Sequence, residues 1–448
     1  MRAEIRLAWL LTRGSDRREW WRVALTAFGA LLATGFALAA VTLAALRGHH
    51  RVPFANGLLD NQGERGGVVV ALLLLLIPVF GFLGQCARIG AVHRDRRLAG
   101  LRLAGASPWQ VRRIAATEAG LACLVGSAVG TVFSVLLLLV AWEVPSGYAW
   151  AGIAVVAAAV PVTGALVSVL ALRRVVASPL GRVRRVRPQS RPGVMFLLAV
   201  LLFAGVALGS YAVVSDSGNR STPSAPLLVF TLLIVTGTAA LWLVGATARL
   251  TGRLLASRTD RPAVLIAAER LRDDPWAAAR THAAVLLVTM VGTAFVGIRQ
   301  VLLEVLHSDK QLSEDASYYT TGLDLTAAAI AVALAITLSS LAVGTAESLA
   351  TRRRGLAAQA AAGVPQAVLG QALLLETALP LAPAVLLAGA GGMAIGTGYA
   401  GFADGGGWST PWAALLVPAG VYAACLLAAV TSLPLLRRSV RPGELRYA

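Results

Sequence analysis

The chain is poor in lysine, and this bears directly on nucleotide chemistry. Lys310 is the only lysine among 448 residues, and it lies in an acidic stretch. A phosphate-binding loop ends in Gly-Lys-Ser or Gly-Lys-Thr, and the sequence contains no such ending. We therefore expect that this chain is not an ATP-hydrolysing enzyme and that any ATP chemistry belongs to another protein.

Cysteine and metal-ligand patterns are also scarce. Cys86, Cys123 and Cys425 all lie in apolar runs, so the sequence predicts no disulfide framework, and buried packing is favoured over a reactive thiol or a metal ligand. His49 and His50 are adjacent but lack acidic or cysteine neighbours, which makes them weak metal ligands. We predict no metal site and no cofactor in this chain.

Charged residues make up 14% of the chain and hydrophobic residues 57%. Soluble proteins average about 25% charged residues, so the composition indicates a protein that crosses the membrane several times. The net charge of +18 is spread over short arginine-rich stretches between apolar runs, a pattern that argues against nucleic-acid binding. The segment 1–22 is charged and amphipathic, and we expect no signal peptide there.

Ten apolar runs are each long enough, at about 20 residues, to cross a bilayer. They are residues 23–46, 67–90, 118–141, 149–172, 194–214, 226–247, 282–303, 324–346, 373–397 and 412–435. Arginine is concentrated in alternate connections, which by the positive-inside rule places both termini in the cytoplasm of a cell-membrane protein. The other connections hold at most about 20 residues, too few for a folded domain.

The charged residues near these runs also bear on transport by proton coupling. A proton-coupled carrier needs ionisable groups deep in the bilayer. Charged residues instead fall near the predicted ends of spans: Arg88, Glu118, Arg299, Glu304 and Glu376. The pattern therefore does not favour a proton-coupled carrier.

The chain contains itself twice, with the copies 258 positions apart. This offset carries Gly105 onto Gly363 and Glu118 onto Glu376, and it matches several arginines. The repeat predicts an all-α polytopic membrane protein with two pseudo-symmetric four-helix repeats joined by two extra spans. The domains are residues 1–186, 187–258 and 259–448; the first and third each hold a lead-in helix, 3–22 or 264–280, and four spans.

Each repeat has a basic elbow between its second and third spans, at 93–120 and 351–378. The pattern predicts a short helix, a turn and a second helix that enters the membrane. Gly105 and Gly363 stand where the first helix ends in a left-handed residue, and Ser107 with Pro108 suits a helix start. A stiff corner can pass motion from a soluble partner to a span; the alternative is a solvated positive-inside loop.

Glu118 and Glu376 follow the two glycines at the same spacing. They are candidate hinge anchors that bond to arginines of the lead-in helices. The alternative is an interfacial charge at a helix start, where the helix dipole favours an anion.

Glycine pairs in each repeat suggest close helix contacts. Gly126 with Gly130, and Gly392 with Gly396, are spaced to let helices approach closely. We favour packing within a half over a moving interface between halves.

The segment R-R-L-A-G-L-R-L-A-G-A-S-P-W-Q-V-R-R-I-A-A-T-E-A at 96–119 resembles the signature of the FtsX-like permease family, and the second elbow is a degraded version of it. The basic tails at 172–182 and 436–446 are also similar to that family. The resemblance covers both repeats. It implies the membrane subunit of a mechanotransmission-type ABC transporter, here with both halves in one chain, as in ten-span peptide-detoxification permeases.

The resemblance also implies partners and site residues. A separate ABC ATPase, as a dimer that carries ATP and Mg, is expected to dock on the elbows. The elbow residues this implies are Arg96, Arg97, Arg102 and Gly105 in the first repeat and Arg354 and Gly363 in the second. The basic linker 179–193 is expected to lie against anionic membrane lipid.

The sequence departs from the family pattern at two elbow positions and in one domain. The acidic residue of the family's R-E-I-G is Arg97 in one copy and Gly355 in the other, and Ala360 stands where the first copy has Arg102. The family's large external domain is missing from both halves. The resemblance implies export or extraction of an amphipathic or lipidic substrate such as an antimicrobial peptide; the alternative is a non-transporting module that relays ATPase state to a sensor kinase or cell-wall enzyme.

Overall fold

A computed structural model describes most of the two repeats. The described residues are 17–46, 55–60, 62–86, 100, 103–141, 147–171, 242, 244–273, 275–307, 315–403, 410–434 and 436. Within these ranges the chain forms helices and turns and no strand. The all-α membrane fold predicted from the apolar runs is confirmed.

The helices are long because the apolar runs are long. We number them α1 (Arg17–Ala45), α2 (Gln62–Cys86), α3 (Pro108–Ala141), α4 (Gly147–Ala171), α5 (Pro262–Asp273), α6 (Pro275–Leu306), α7 (Ala316–Thr351), α8 (Arg353–Ala361), α9 (Gln366–Ala403) and α10 (Leu416–Val430). Residues 244–256 are also helical, and a 3-10 turn at Trp412–Leu415 precedes α10. The predicted lead-in helix 264–280 falls on two helices: α5 ends at Asp273, and α6 begins at Pro275, a residue that suits the first position of a helix.

Eight helices among the described residues are long and apolar enough to cross a membrane. They run over Trp20–Ala45, Glu64–Cys86, Trp109–Val140, Gly147–Leu166, His282–Leu306, Ala316–Ala350, Gln366–Ala400 and Trp412–Val430. Each coincides with one predicted span. The predicted span 194–214, and 226–247 apart from its last residues, lie outside the described part of the chain.

The first compact unit comprises Met1–Val186 and Glu314–Thr351. Within it α1 packs against α2, α3 and α4, and α7 packs against α2. Its core joins Ala30, Val79, Phe82 and Cys123 with Ile336 of α7. Asn56 also donates a hydrogen bond from Nδ2 to Thr321 Oγ1 over 2.8 Å, which ties the loop before α2 to α7.

The second compact unit comprises Arg187–Ser313 and Arg352–Ala448. Within it α9 packs against α5, α6 and α10. Helix α7 belongs to the second repeat by sequence but to the first unit by its contacts. The compact units and the sequence repeats are therefore different divisions of the chain.

Candidate functional site: the elbows and their anchors

The elbow of the second repeat is a closed corner. Helix α8 ends in paired backbone hydrogen bonds, from Gly363 N to Ala360 O over 3.0 Å and from Val364 N to Gln359 O over 3.1 Å. This is a Schellman arrangement, which requires a left-handed residue after the helix. Gly363 supplies it with φ of +91°, as the sequence predicted. Pro365 then leads directly into α9.

The elbow of the first repeat turns in the same way and is capped by side chains. Gly105 has φ of +97°. Ser107 N donates to Gln110 Oε1 over 2.8 Å, and Gln110 N donates to Ser107 Oγ over 3.2 Å. This reciprocal pair is a capping box, and it fixes the first turn of α3. Ser107 and Pro108 were predicted at this helix start. Gln110 was not predicted, although its position three residues after the serine is typical of a capping box.

The two elbow glycines are needed for their backbone conformation and not for space. A Cβ built on Gly105 or Gly363 would meet no other atom within 4 Å. A positive φ is nevertheless unfavourable for any residue with a Cβ. The corner angle therefore depends on glycine even though both positions are open.

Each corner is continuous with a membrane span. Helix α3 has 34 residues and α9 has 38, which at 1.5 Å per residue gives lengths of about 51 Å and 57 Å. The hydrocarbon core of a bilayer is about 30 Å thick. Each helix is long enough to cross the bilayer and also to reach the elbow. Helix α3 is a rod without an interior proline, whereas α9 holds Pro380 and Pro383 inside it, and each of these removes one backbone hydrogen bond of the helix.

In the first unit this rod is joined to α1 by a buried ion pair. Arg22 donates from Nη2 to Glu118 Oε1, and their side chains are only 8% and 4% exposed. Glu118 lies ten residues after the start of α3, whereas the helix dipole acts over about one turn. The helix-start interpretation of Glu118 is therefore wrong, and the contact that the hinge interpretation requires is present.

In the second unit Glu376 holds two arginines from different elements. Arg270 of α5 donates from Nη1 to Glu376 Oε2 over 3.2 Å, and Arg352 donates from Nη1 to Oε1 over 2.7 Å. Arg352 directly precedes the elbow helix α8. The glutamate thus links the lead-in helix, the start of the elbow and the span α9. The role of Arg352 was not predicted, because it is one of three consecutive arginines that look alike in sequence.

Next to the first ion pair, glycines bring α1 and α3 into backbone contact. A Cβ on Gly126 would lie 1.9 Å from Ala27 O, and one on Gly130 would lie 3.1 Å from Leu31 O. The contact advances by four residues on both helices, so the two run parallel.

The second unit repeats this contact between α6 and α9. A Cβ on Gly392 would lie 2.4 Å from Met290 O, and one on Gly396 would lie 3.3 Å from Gly297 Cα. These two helices also run parallel. Each glycine pair packs against a helix of its own repeat. The prediction that these glycines mediate packing within a half is therefore confirmed.

Several predicted elbow residues lie outside the described part of the chain. These are Arg96, Arg97 and Arg102 and the side chain of Arg354. Their docking role remains a prediction. Among the described residues, no group of three or more His, Cys, Asp or Glu side chains is placed to hold a metal ion.

Comparison with known protein families gives a match over the part of the chain that contains the first elbow. The family model of the FtsX-like permease C-terminal domain matches residues 68–180. Residues 68–180 are therefore similar to an FtsX-like permease domain. The match begins within α2 and covers the first elbow, α3 and α4, and it includes Gly105 and Glu118. Among curated proteins, none matches the chain.

The matched segment bears on the class of the protein. Together with the eight apolar helices it supports a multi-pass membrane protein of the ABC-transporter permease type. Permeases of this family are membrane subunits of ABC systems and are typically not catalytic themselves. The family thus points to partnership with an ABC ATPase.

Proposed function

We propose that this chain couples a separate ATPase to the export or extraction of an amphipathic or lipidic substrate, such as an antimicrobial peptide. The observation that carries the proposal is the pair of glycine corners, each continuous with a membrane span. ATP and Mg are held by the partner ATPase, which acts as a dimer on the two elbows of one chain. The chain lies in the cell membrane with both termini in the cytoplasm, as its arginine distribution favours.

The buried contacts suggest how the force travels. ATP binding draws the two ATPase subunits together, and each elbow moves with the subunit that holds it. In the first unit α3 moves with its elbow and carries α1 along, because Arg22–Glu118 and the contact at Gly126 join the two helices. In the second unit α9 carries α5 through Glu376 and α6 through Gly392. Each half then shifts as a group of helices.

The short connections on the side opposite the elbows support a substrate that comes from the membrane. Helices α1 and α2 are separated by 16 residues, and α3 and α4 by five. A folded domain for capturing a soluble cargo needs far more chain. A substrate that is already dissolved in the membrane needs no such domain, because it reaches the helices from the side.

The same short connections also favour the second candidate, a relay that transports nothing. A relay hydrolyses ATP without cargo and requires a second membrane partner. Turnover of the purified permease–ATPase complex in liposomes distinguishes the two functions: an amphipathic peptide or lipid substrate stimulates ATP hydrolysis by a transporter, whereas a relay is unaffected by it.

The coupling proposal is tested by charge reversal at the first elbow. We expect the combined substitution Arg96→Glu, Arg97→Glu and Arg102→Glu to weaken association with a co-expressed ABC ATPase that binds the unmodified chain by at least about 100-fold, because like charges placed in an interface cost several kcal/mol. The measurement is ATPase recovered per mole of purified permease. The matched control reverses three arginines of the linker, Arg182, Arg184 and Arg185. Unchanged association of the elbow variant would contradict the docking role.

A further inference from the structure

The second unit contains a pocket that the coupling mechanism does not use. It has a volume of about 660 Å³, within the range of about 300–1,000 Å³ that is usual for ligand sites. Its walls come from α9 and from the residues that begin α10, with Thr293 of α6 behind them. Gly389 lies about 20 Å along α9 from Glu376, at 1.5 Å per residue. The pocket is therefore well separated from the elbow and its anchor.

Small side chains create the space. Five of the lining residues are glycine or alanine: Ala382, Gly389, Ala390, Ala394 and Ala419. Gly389 also holds α9 and α10 together, because a Cβ there would lie 2.4 Å from Pro418 Cγ. The helix contact and the adjoining hollow thus depend on the same run of small residues.

The polar groups in the pocket wall already have partners. Thr293 Oγ1 donates to Thr289 O over 2.8 Å, and Thr397 Oγ1 donates to Met393 O over 3.0 Å. The hydroxyl of Tyr422 donates to Ala378 O over 3.4 Å. Ligand sites normally use a few polar groups to orient polar ligands. Here the hydroxyl protons are committed to the backbone, and the rest of the wall is hydrocarbon, so the wall suits an alkyl chain.

The position of the pocket determines what reaches it. Residues 382–397 and 415–422 all belong to membrane-spanning segments. The side facing outwards is open: Leu386 is 68% exposed and Leu415 is 50% exposed. The medium beside a spanning segment is lipid, and an empty apolar hollow loses van der Waals contacts along its whole lining. A lipid chain from the bilayer restores those contacts.

We propose that this pocket binds one hydrocarbon chain of a membrane lipid, which enters sideways between α9 and α10. Lipid tails are as apolar as leucine, so no hydrophobic driving force favours the pocket over the bilayer. Selectivity comes from the fit of the chain to the small-residue wall. A lipid held in this way exchanges more slowly than lipid on the open surface. The site requires neither ATP nor the partner ATPase.

The test uses the full chain in phosphatidylcholine vesicles that contain a trace of phosphatidylcholine with a photoactivatable diazirine on one acyl chain. After illumination, mass spectrometry maps the labelled residues. We expect Met393 and Tyr422 to be labelled several-fold more than Leu136 and Leu137, which are exposed on α3 of the first unit. Equal labelling would show surface lipid only and would overturn the proposal.

Two substitutions make the test specific. Ala394→Phe fills the pocket and should lower labelling of Tyr422 roughly tenfold, because forcing an alkyl chain into the space of the phenyl ring costs about 1–3 kcal/mol. Ala423→Phe is the matched control, because Ala423 is exposed on α10 but does not line the pocket. Labelling that is unchanged by Ala394→Phe, or lowered equally by the control, would contradict the site.

A third variant examines the apolar character of the site. Thr397→Val keeps the side-chain shape and removes the hydroxyl, so labelling should not change. A large loss would mean that the pocket uses this hydroxyl to bind a polar ligand, and the alkyl-chain assignment would be wrong. None of these measurements involves the ATPase, so their failure is distinguishable from a failure of the coupling proposal.

Discussion

In the first unit the side chains of Glu118 and Arg22 are almost completely buried, whereas in the second unit Glu376 and its partners Arg270 and Arg352 are within reach of water. The side chains of Arg270, Arg352 and Glu376 are 18%, 39% and 20% exposed. The repeat has kept the glutamate at the same distance from the elbow glycine, but this sequence spacing does not fix how deeply the pair is buried. Arg22 and Glu118 join α1 to α3, and Glu376 joins α9 to the lead-in helix and to the elbow.

This difference has a mechanical meaning. Breaking a buried pair leaves a charge without solvation, so the first anchor resists opening. A partly hydrated pair exchanges its partners for water at little cost. The second anchor is therefore better suited to rearrange during a cycle, while the first keeps α1 and α3 together.

The largest effect is expected from neutralising the two glutamates. Glu118→Gln should lower the free energy of unfolding by about 3–5 kcal/mol, because it leaves Arg22 charged and buried. Glu376→Gln should lower it by only about 1–2 kcal/mol, because its arginines remain hydrated. Denaturation of the purified chain in detergent measures both.

Two controls separate charge from packing in that comparison. Replacing both members of the first pair, by Arg22→Met with Glu118→Met, should be less destabilising than Glu118→Gln, because it leaves no charge on Arg22 in the buried site. Added salt should weaken the contribution of Glu376 and leave that of Glu118 nearly unchanged. Equal losses for the two glutamine variants would mean that the two anchors do not differ as described.

A smaller effect is expected where the two halves agree. Gly126→Ala and Gly392→Ala place a Cβ 1.9 Å and 2.4 Å from a backbone oxygen of the neighbouring helix. Each should destabilise the protein by about 1–3 kcal/mol, because overpacking forces the helices apart. Gly81→Ala in α2 is the control, since a Cβ there meets nothing within 4 Å, and alanine should be neutral or favourable in a helix.

Thermal unfolding in detergent measures these glycine variants. Similar losses of stability at Gly126 and Gly392 would show that the two units share this helix packing, although the burial of their ion pairs differs. A loss confined to one of the two positions would contradict that division.

The sequence predicted the parts of this structure that depend on local chemistry. Each described span follows from an apolar run of sufficient length, and Gly105 and Gly363 stand where only glycine suits a left-handed corner. Pairing between distant helices was harder to predict. The apolar run 324–346 predicts a membrane span, but it contains no information that α7 packs against α2 rather than within its own repeat.

The anchors and the pocket show the same limit. The lead-in arginines were expected to reach Glu118 and Glu376, and Arg22 and Arg270 do so. Arg352 was indistinguishable in sequence from its two arginine neighbours. The pocket arises from small residues on α9 and α10, and in sequence these resemble any alanine- and glycine-rich span.

The smallest effect concerns the corners, where Gly105→Ala and Gly363→Ala should each destabilise the elbow by about 1–2 kcal/mol through the positive φ alone. Gly100→Ala and Gly355→Ala are matched controls in the same elbows: their Cβ positions are also open, and φ is not positive there. Hydrogen exchange of the elbow amides is the suitable measurement, because a corner can fray locally while the spans stay folded. We expect the amides of residues 359–364 to exchange faster in Gly363→Ala than in the unmodified protein. In Gly355→Ala their exchange rates should be unchanged. Equal protection in both variants would show that the corner does not depend on the left-handed residue, and the rigid link from elbow to span would lose its physical basis.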